Sequence, residues 1–182
     1  MHKSKVLGFL SLCLILGFQI ETNAKDTKNT DIYKYAEKSK PKVGNKAPDF
    51  VVQDSNGKNI KLSDFVGKKN VLLVFYPGDN TPGCTKQLCS IRDDFKGLEK
   101  LNVKVFGVNQ ADSESHKSFI NKHNFQFELL VDKDKKIATE YDAVGFFGII
   151  SRTVVLINKE GKIVLYERGF PDVSPKAIDK LI

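Results

Sequence analysis

The sequence is poor in several residue types, and each scarcity excludes a class of protein. Its 182 residues include no tryptophan, three cysteines, 13 glycines and 6 prolines. These numbers exclude disulfide-rich, collagen-like and low-complexity chains, and the 41% apolar share is enough for one globular core. Arginine is scarce too, since only Arg92, Arg152 and Arg168 stand among 29 cationic residues. With lysines spread along the chain, the net charge of +7 indicates a solvated lysine surface and not a nucleic-acid groove.

The amino-terminal segment also lacks an apolar run of membrane-spanning length. Val6 to Ile20 is mostly apolar but falls short of the roughly 20 residues that a spanning helix needs. Lys3 and Lys5 precede this run, and small residues end at Ala24. Residues 1–24 are therefore predicted to be a signal peptide cleaved near Ala24. We expect an exported protein, periplasmic or extracellular, with no stable membrane insertion after cleavage.

The remainder is predicted to hold a flexible leader and one domain. Residues 25–42 are polar and rich in lysine, which is typical of a mobile segment. Residues 43–182 alternate apolar strands with helical segments, which predicts an α/β, thioredoxin-like three-layer sandwich around a central mixed sheet. The predicted strands are Phe50–Gln53, Asn59–Leu62, Asn70–Tyr76, Val103–Val108, Phe127–Val131, Thr153–Ile157 and Ile163–Glu167, and the predicted helices are Pro82–Leu101, Ser113–His123, Lys136–Tyr141 and one opening at Ser174 and Pro175.

Two cysteines carry the main chemical signal. Cleavage of the signal peptide removes Cys13 and leaves Cys84 and Cys89. Thr81 is a good helix N-cap and Pro82 a good first helical residue, so Cys84 is expected in the first turn. There the free backbone N–H groups and the helix dipole favour an anion such as a thiolate. Whether the Thr81 hydroxyl caps the helix or points at the sulfur stays open.

The spacing of the two cysteines predicts a conformational change. Five residues of regular helix separate two Cα atoms by about 8.7 Å, whereas a disulfide needs about 4.4 to 6.8 Å. Cys84 and Cys89 therefore cannot form a disulfide while the helix is intact, and oxidation must unwind part of it. The alternative is a static structural disulfide in a loop. The amphipathic pattern argues against it, because it continues through Gln87, Leu88, Ile91, Phe95 and Leu98.

The segment around these cysteines resembles a known active site. Residues 75–89 read FYPGDNTPGCTKQLC and are followed by Arg92 and Asp93. This segment is similar to that of the peroxiredoxins, specifically the bacterioferritin comigratory protein or peroxiredoxin Q branch. The Pro-x-x-x-Thr-x-x-Cys core is typical of peroxiredoxins at large, and the second cysteine five residues on is typical of the branch. Residues 43–50 and 152–158 resemble flanking segments of the family, so the resemblance covers 43–182.

The resemblance implies a thiol peroxidase and a role for each matching residue. Cys84 is implied as the peroxidatic nucleophile and Cys89 as the resolving thiol. Thr81 and Arg152 are implied to hydrogen-bond the thiolate and peroxide, and Pro77 to shield the pocket. Hydrogen peroxide and organic hydroperoxides are the implied substrates, and a thioredoxin-like dithiol is the implied reductant. No cysteine follows Cys89, so resolution is expected within one chain. We expect a monomer without cofactor or metal.

A non-enzymatic alternative is a thioredoxin-fold thiol-binding or copper-delivery module in the same compartment. His116 and His123 lie seven residues apart and are predicted to be solvated helix histidines, because two such ligands rarely make a metal site alone. Phe146 and Phe147 are predicted to pack in the core. The other possibilities for these two rings are a pocket wall or a partner contact.

Overall fold

A five-stranded sheet forms the centre of the described chain. The computed structural model describes residues 40–182, so the predicted signal peptide and most of the predicted leader lie outside it. The strands are β1 (Val51–Gln53), β2 (Asn59–Lys61), β3 (Asn70–Phe75), β4 (Val103–Asn109), β5 (Glu128–Val131), β6 (Thr153–Ile157) and β7 (Ile163–Arg168). The helices are α1 (Pro82–Asp93), α2 (Phe95–Lys100), α3 (Ser113–His123), α4 (Lys136–Glu140) and α5 (Pro175–Asp179). The sheet order is β5-β4-β3-β6-β7, and β1 and β2 form a separate hairpin.

The sheet is mixed, as the sequence predicted. Strands β3, β4 and β5 run parallel, while β6 pairs antiparallel with both β3 and β7. Strand β3 is buried along its whole length, in agreement with its uninterrupted apolar sequence. None of the helices in the described part of the chain is long and apolar enough to span a membrane.

An apolar core lies on each face of the sheet. The elements that pack on these two cores form the outer layers of the sandwich, and the sheet is the middle layer. Successive β3 side chains point to opposite faces, so Leu73 and Phe75 pack in one core and Leu72 and Val74 in the other. The first core also receives residues of α4 and the β1–β2 hairpin. The second receives residues of α1, α2, α3 and α5, Cys84 among them. The predicted three-layer sandwich is confirmed.

One predicted helix is wrong in its extent. The sequence predicted a single helix over residues 82–101, but it is broken at Asp94 into α1 and α2. The break accompanies a close approach of α2 to α5. A Cβ atom at Gly97 would lie 2.4 Å from Pro175 Cγ, so only glycine fits this contact. Glycine at position 97 therefore allows α2 and α5 to pack closely, and the pattern of apolar residues does not reveal this contact.

The topology brings two distant segments to the same edge of the sheet. Strand β3 ends at Phe75, and residues 76–81 lead from it into α1. The antiparallel register places Thr153 opposite Phe75. Arg152, immediately before Thr153, thus lies beside the loop that leads to Cys84.

Candidate active site

Cys84 occupies the predicted position in the first turn of a helix. Pro82 is the first residue of α1 and Cys84 the third, with Thr81 as N-cap. The Cys84 side chain is buried, and both Cys84 and Cys89 are free thiols. Because both lie within the continuous helix α1, their separation is set by helical geometry, as the spacing predicted. The free N–H groups of this first turn favour a negative charge on the sulfur.

Thr81 caps the helix with its backbone only. Its carbonyl accepts the N–H of Thr85 at 2.9 Å, while its side chain makes no capping hydrogen bond. The hydroxyl donates instead to the carbonyl of Gly78 at 3.3 Å. That bond engages the hydroxyl proton and leaves the oxygen lone pairs of an exposed side chain available to accept a proton donor.

Arg152 contacts the turn that carries Cys84. A Cβ atom at Gly83 would lie 2.7 Å from Nη2 of Arg152, so the guanidinium lies directly against the backbone of this glycine. The guanidinium also lies over the Phe170 ring, with Cζ 4.7 Å from the ring centroid. Arg152 therefore brings a positive charge to the helix end where a thiolate would form.

Gln87 was missed as a functional candidate by the sequence analysis. Its Oε1 accepts from Nη1 of Arg152 at 3.1 Å, and its Nε2 donates to the carbonyl of Gly169 at 3.3 Å. Gly169 N–H in turn donates to the Arg152 carbonyl. The side chain thus ties Arg152 to α1 one turn after Cys84. The available signal was that Gln87 is a polar residue within the apolar stripe of the helix. The periodicity alone placed it among the core residues.

A buried carboxylate holds the loop before Cys84. Asp79 accepts hydrogen bonds from the hydroxyl of Tyr76 and Nδ2 of Asn109, each at 2.8 Å, on one oxygen. The other oxygen accepts from Ser115 at 2.7 Å and faces Nδ1 of His116 at 2.9 Å. Burial alone would raise the pKa of Asp79, but the hydrogen bonds and charge of His116, with those of Ser115 and Tyr76, lower it overall. Asp79 is therefore an anion that fixes the loop to β4 and α3.

The prediction that His116 is a solvated helix histidine is wrong. Its side chain is fully buried, and Nε2 lies 3.2 Å from the carbonyl of Leu130 while Nδ1 faces Asp79. The two ring nitrogens therefore join Asp79 of the loop before α1 to the backbone of β5. The helix periodicity did not reveal that α3 turns this face toward Asp79.

His123 is likewise not a solvated histidine. It is half-buried at the end of α3, and its Nδ1 lies 3.8 Å from Sγ of Cys89. Arg92 donates to the His123 carbonyl at 2.9 Å, so α1 and the end of α3 are linked beside the second cysteine. Within residues 40–182, no group of three or more His, Cys, Asp or Glu side chains could hold a metal ion.

Pro77 and the pair Phe146 and Phe147 are the remaining residues named from the sequence. Pro77 is half-buried and lies in the loop between β3 and α1, two residues before Asp79. The prediction that Phe146 and Phe147 pack in the core is wrong, because their side chains are 97% and 85% exposed and contact each other edge-to-face. They belong to a tight turn closed by the Gly145 N–H to the Ile149 carbonyl. The turn leaves both rings in solvent, which their apolar character did not predict.

The chain is similar to known proteins in both sequence and fold. The AhpC/TSA family model matches residues 43–166. Peroxiredoxin Bcp of Bacillus subtilis is 40% identical over 129 residues, which cover 67% of this chain and 82% of that protein. A cysteine-to-serine mutant of PrxQ from Xylella fastidiosa superposes with a TM-score of 0.71 at 27% identity, covering 79% of this chain and 96% of that one.

A further solved structure is that of the bacterioferritin comigratory protein of Xanthomonas campestris, studied for its alkyl peroxide reduction activity. It has a TM-score of 0.64 and 27% identity, covering 72% of this chain and 87% of that one. The chain therefore belongs to the AhpC/TSA family, and within it to the Bcp and PrxQ peroxiredoxins.

Proposed function

We propose that this thiol-dependent peroxidase reduces hydroperoxides with Cys84 as the nucleophile and Cys89 as the resolving thiol. Family membership supports the peroxidase activity. The observation that carries the residue assignment is the position of Cys84 in the first turn of α1, with Arg152 against the preceding Gly83. The copper-delivery alternative is not favoured, because the relatives are peroxiredoxins.

In the first step the Cys84 thiolate attacks one oxygen of the hydroperoxide. The O–O bond breaks, the sulfur becomes a sulfenic acid, and the departing alkoxide or hydroxide takes a proton to leave as alcohol or water. Negative charge therefore moves from the sulfur to the leaving oxygen. The Arg152 guanidinium, held by Gln87, lies where it can donate to this charge.

Thr81 and Pro77 complete the proposed pocket. The Thr81 hydroxyl donates to Gly78, so its oxygen is free to accept the O–H of an incoming hydroperoxide and orient it. Pro77 has no N–H to offer water, and its half-buried ring lies beside this loop. Together they are proposed to orient the substrate and limit access of water to the sulfenic acid.

In the second step Cys89 attacks the sulfenic sulfur of Cys84. The new S–S bond displaces hydroxide, which takes a proton and leaves as water. Both sulfurs belong to α1, and their separation in an intact helix exceeds that of a disulfide. Part of α1 must therefore unwind before the bond forms. Because the two thiols belong to one chain, the cycle needs no second subunit, and we propose a monomer.

The disulfide must be reduced before the next turnover. Reduction by thiol–disulfide exchange restores both thiols and oxidises a dithiol partner. We propose a thioredoxin-like protein as this partner, and hydrogen peroxide together with organic hydroperoxides as substrates.

Replacement of the resolving thiol tests the assignment of roles. Purified Cys89→Ser protein is expected to consume one equivalent of hydrogen peroxide rapidly and then stop, with a sulfenic acid trapped at Cys84 by dimedone. Cys84→Ser is the matched control and is expected to show no rapid consumption. Full multiple turnover by Cys89→Ser with the same reductant would show that Cys89 is not the resolving thiol.

We also propose that the protein acts outside the cytoplasm. Support comes from the sequence of residues 1–24, with its basic start, apolar run and small residues before Lys25. Mass spectrometry of protein recovered from the cell is expected to find an amino terminus at Lys25. An intact Met1 terminus would contradict the proposal.

A further inference from the structure

A histidine lies beside the resolving thiol and not beside the peroxidatic one. His123 is the last residue of α3, and its Nδ1 is 3.8 Å from the Cys89 sulfur. This distance is within hydrogen-bonding range for sulfur. Cys89 is half-buried in α1, so helix packing sets the contact.

The ring is held in place by apolar packing. It stacks on Phe125 at 5.6 Å between centroids and meets Phe119 edge-to-face at 5.0 Å. Its second nitrogen, Nε2, is buried and has no hydrogen-bond partner among the described residues. Among the described residues, the contact with Cys89 is therefore the hydrogen bond available to this imidazole.

The charged groups around His123 keep the ring neutral. Arg92 of α1 donates to the His123 carbonyl, Lys122 is its neighbour on α3, and Asp93 pairs with Arg92 at 2.8 Å. Burial, then the positive charges of Lys122 and Arg92, lower the pKa of His123 from its ordinary value. A neutral imidazole has a lone pair, which Nδ1 can direct at the Cys89 S–H.

We propose that His123 is a general base for the resolving step. Resting on the proposed role of Cys89, Nδ1 takes the Cys89 proton as the sulfur attacks the sulfenic sulfur of Cys84, which unwinding of the start of α1 brings to Cys89 while Cys89 stays beside His123. The disulfide forms as hydroxide leaves Cys84. The imidazolium gives its proton to that hydroxide, so one water is released and His123 returns to its neutral form. Because the pKa of His123 is lowered, the imidazolium gives up this proton readily.

The proposal predicts a dependence on pH that a packing role for His123 does not. An unassisted cysteine thiol ionises with a pKa of about 8.5, so only about 1% is thiolate at pH 6.5. General base catalysis typically contributes about 10²- to 10⁴-fold. Without His123, resolution at pH 6.5 is expected to be about 100-fold slower, and the difference should shrink to a few-fold near pH 9.

Stopped-flow kinetics on the reduced protein measures this directly. One equivalent of hydrogen peroxide is added between pH 6 and 9, and peroxide loss and disulfide formation are followed as separate phases. The variants are His123→Gln, which retains polarity, and His123→Phe, which retains an aromatic ring for the contacts with Phe119 and Phe125. Lys117→Gln, on an exposed site of α3, is the matched control.

Only the disulfide phase is expected to slow in the His123 variants, most at low pH, while the peroxide phase matches that of Lys117→Gln. A third variant, His123→Ala, leaves space where the ring was, and added imidazole is expected to accelerate its disulfide phase. Equal rates at pH 6.5, or a slowdown of the same size at every pH, would overturn the proposal. Absence of any disulfide in the unsubstituted protein would instead refute the role of Cys89 and this inference with it.

Discussion

A single methyl group at Gly83 is expected to slow the reaction with peroxide without unfolding the protein. The added Cβ would lie 2.7 Å from Nη2 and 3.4 Å from Cζ of Arg152. Ordinary contacts of a Cβ atom begin at about 3.4 Å, so the guanidinium must move by several tenths of an ångström. It is the far end of a flexible side chain and can do so at little cost. Gly83→Ala therefore displaces the charge beside Cys84 while the fold stays intact.

The expected magnitude follows from the bonds that Arg152 would lose. A hydrogen bond to a charged group contributes about 1.5 to 3 kcal/mol, and each 1.36 kcal/mol of transition-state stabilisation corresponds to a factor of ten in rate. The second-order rate constant with hydrogen peroxide should fall by roughly 10- to 150-fold. The free energy of unfolding should rise, because alanine exceeds glycine in helix propensity by up to about 1 kcal/mol.

The assay pairs stopped-flow peroxide kinetics with urea denaturation. Ser90→Ala, at an exposed position of α1, is the control for a change in the helix without contact to Arg152, and it should keep the unsubstituted rate. A Gly83→Ala protein that is equally stable and equally fast would show that the position of the guanidinium does not matter. A variant that is slow because it is unfolded would show instead that Arg152 cannot yield.

Two other changes test the surroundings of Cys84. Gln87→Leu removes both hydrogen bonds of that side chain and is expected to slow peroxide reduction roughly 5- to 30-fold, since each such bond contributes about 1 kcal/mol and each 1.36 kcal/mol corresponds to a factor of ten in rate. An unchanged rate constant would refute the tether. Asp79→Asn is expected to lower the free energy of unfolding at pH 5. Because the folded pKa of Asp79 is lowered, its carboxylate stabilises the protein above the unfolded value of about 3.9 and loses that effect as pH falls through the folded value. The gap in urea midpoint between the two proteins should therefore narrow as the pH falls from 5 to below the unfolded value, and a constant gap would contradict the ionised network.

The strands and the site core were predictable because they rest on local patterns. The apolar run of residues 70–76 identified the central strand, and Thr81 followed by Pro82 identified the start of α1, hence the position of Cys84. Arg152 was found through the resemblance of its strand. Its contact with Gly83 depends on the register of β6 against β3, which no short segment specifies.

The features that the sequence did not predict depend on contacts between distant segments. His116 looked like a solvated helix residue because its partner, Asp79, belongs to a loop 37 residues earlier. His123 meets Cys89 across 34 residues, and the break at Asp94 accompanies the contact of Gly97 with Pro175. Phe146 was predicted to be buried and is exposed, because a tight turn and not its apolar side chain sets its exposure.

The proposed chemistry has two parts: Cys84 reacts with peroxide because of its place at the start of α1, and it then forms a disulfide with Cys89. Mixing the reduced protein with one equivalent of hydrogen peroxide and titrating free thiols over time tests both parts together. We expect rapid loss of two thiols for each peroxide, abolished in Cys84→Ser. Loss no faster than that of an ordinary exposed cysteine, or loss of one thiol only, would contradict it.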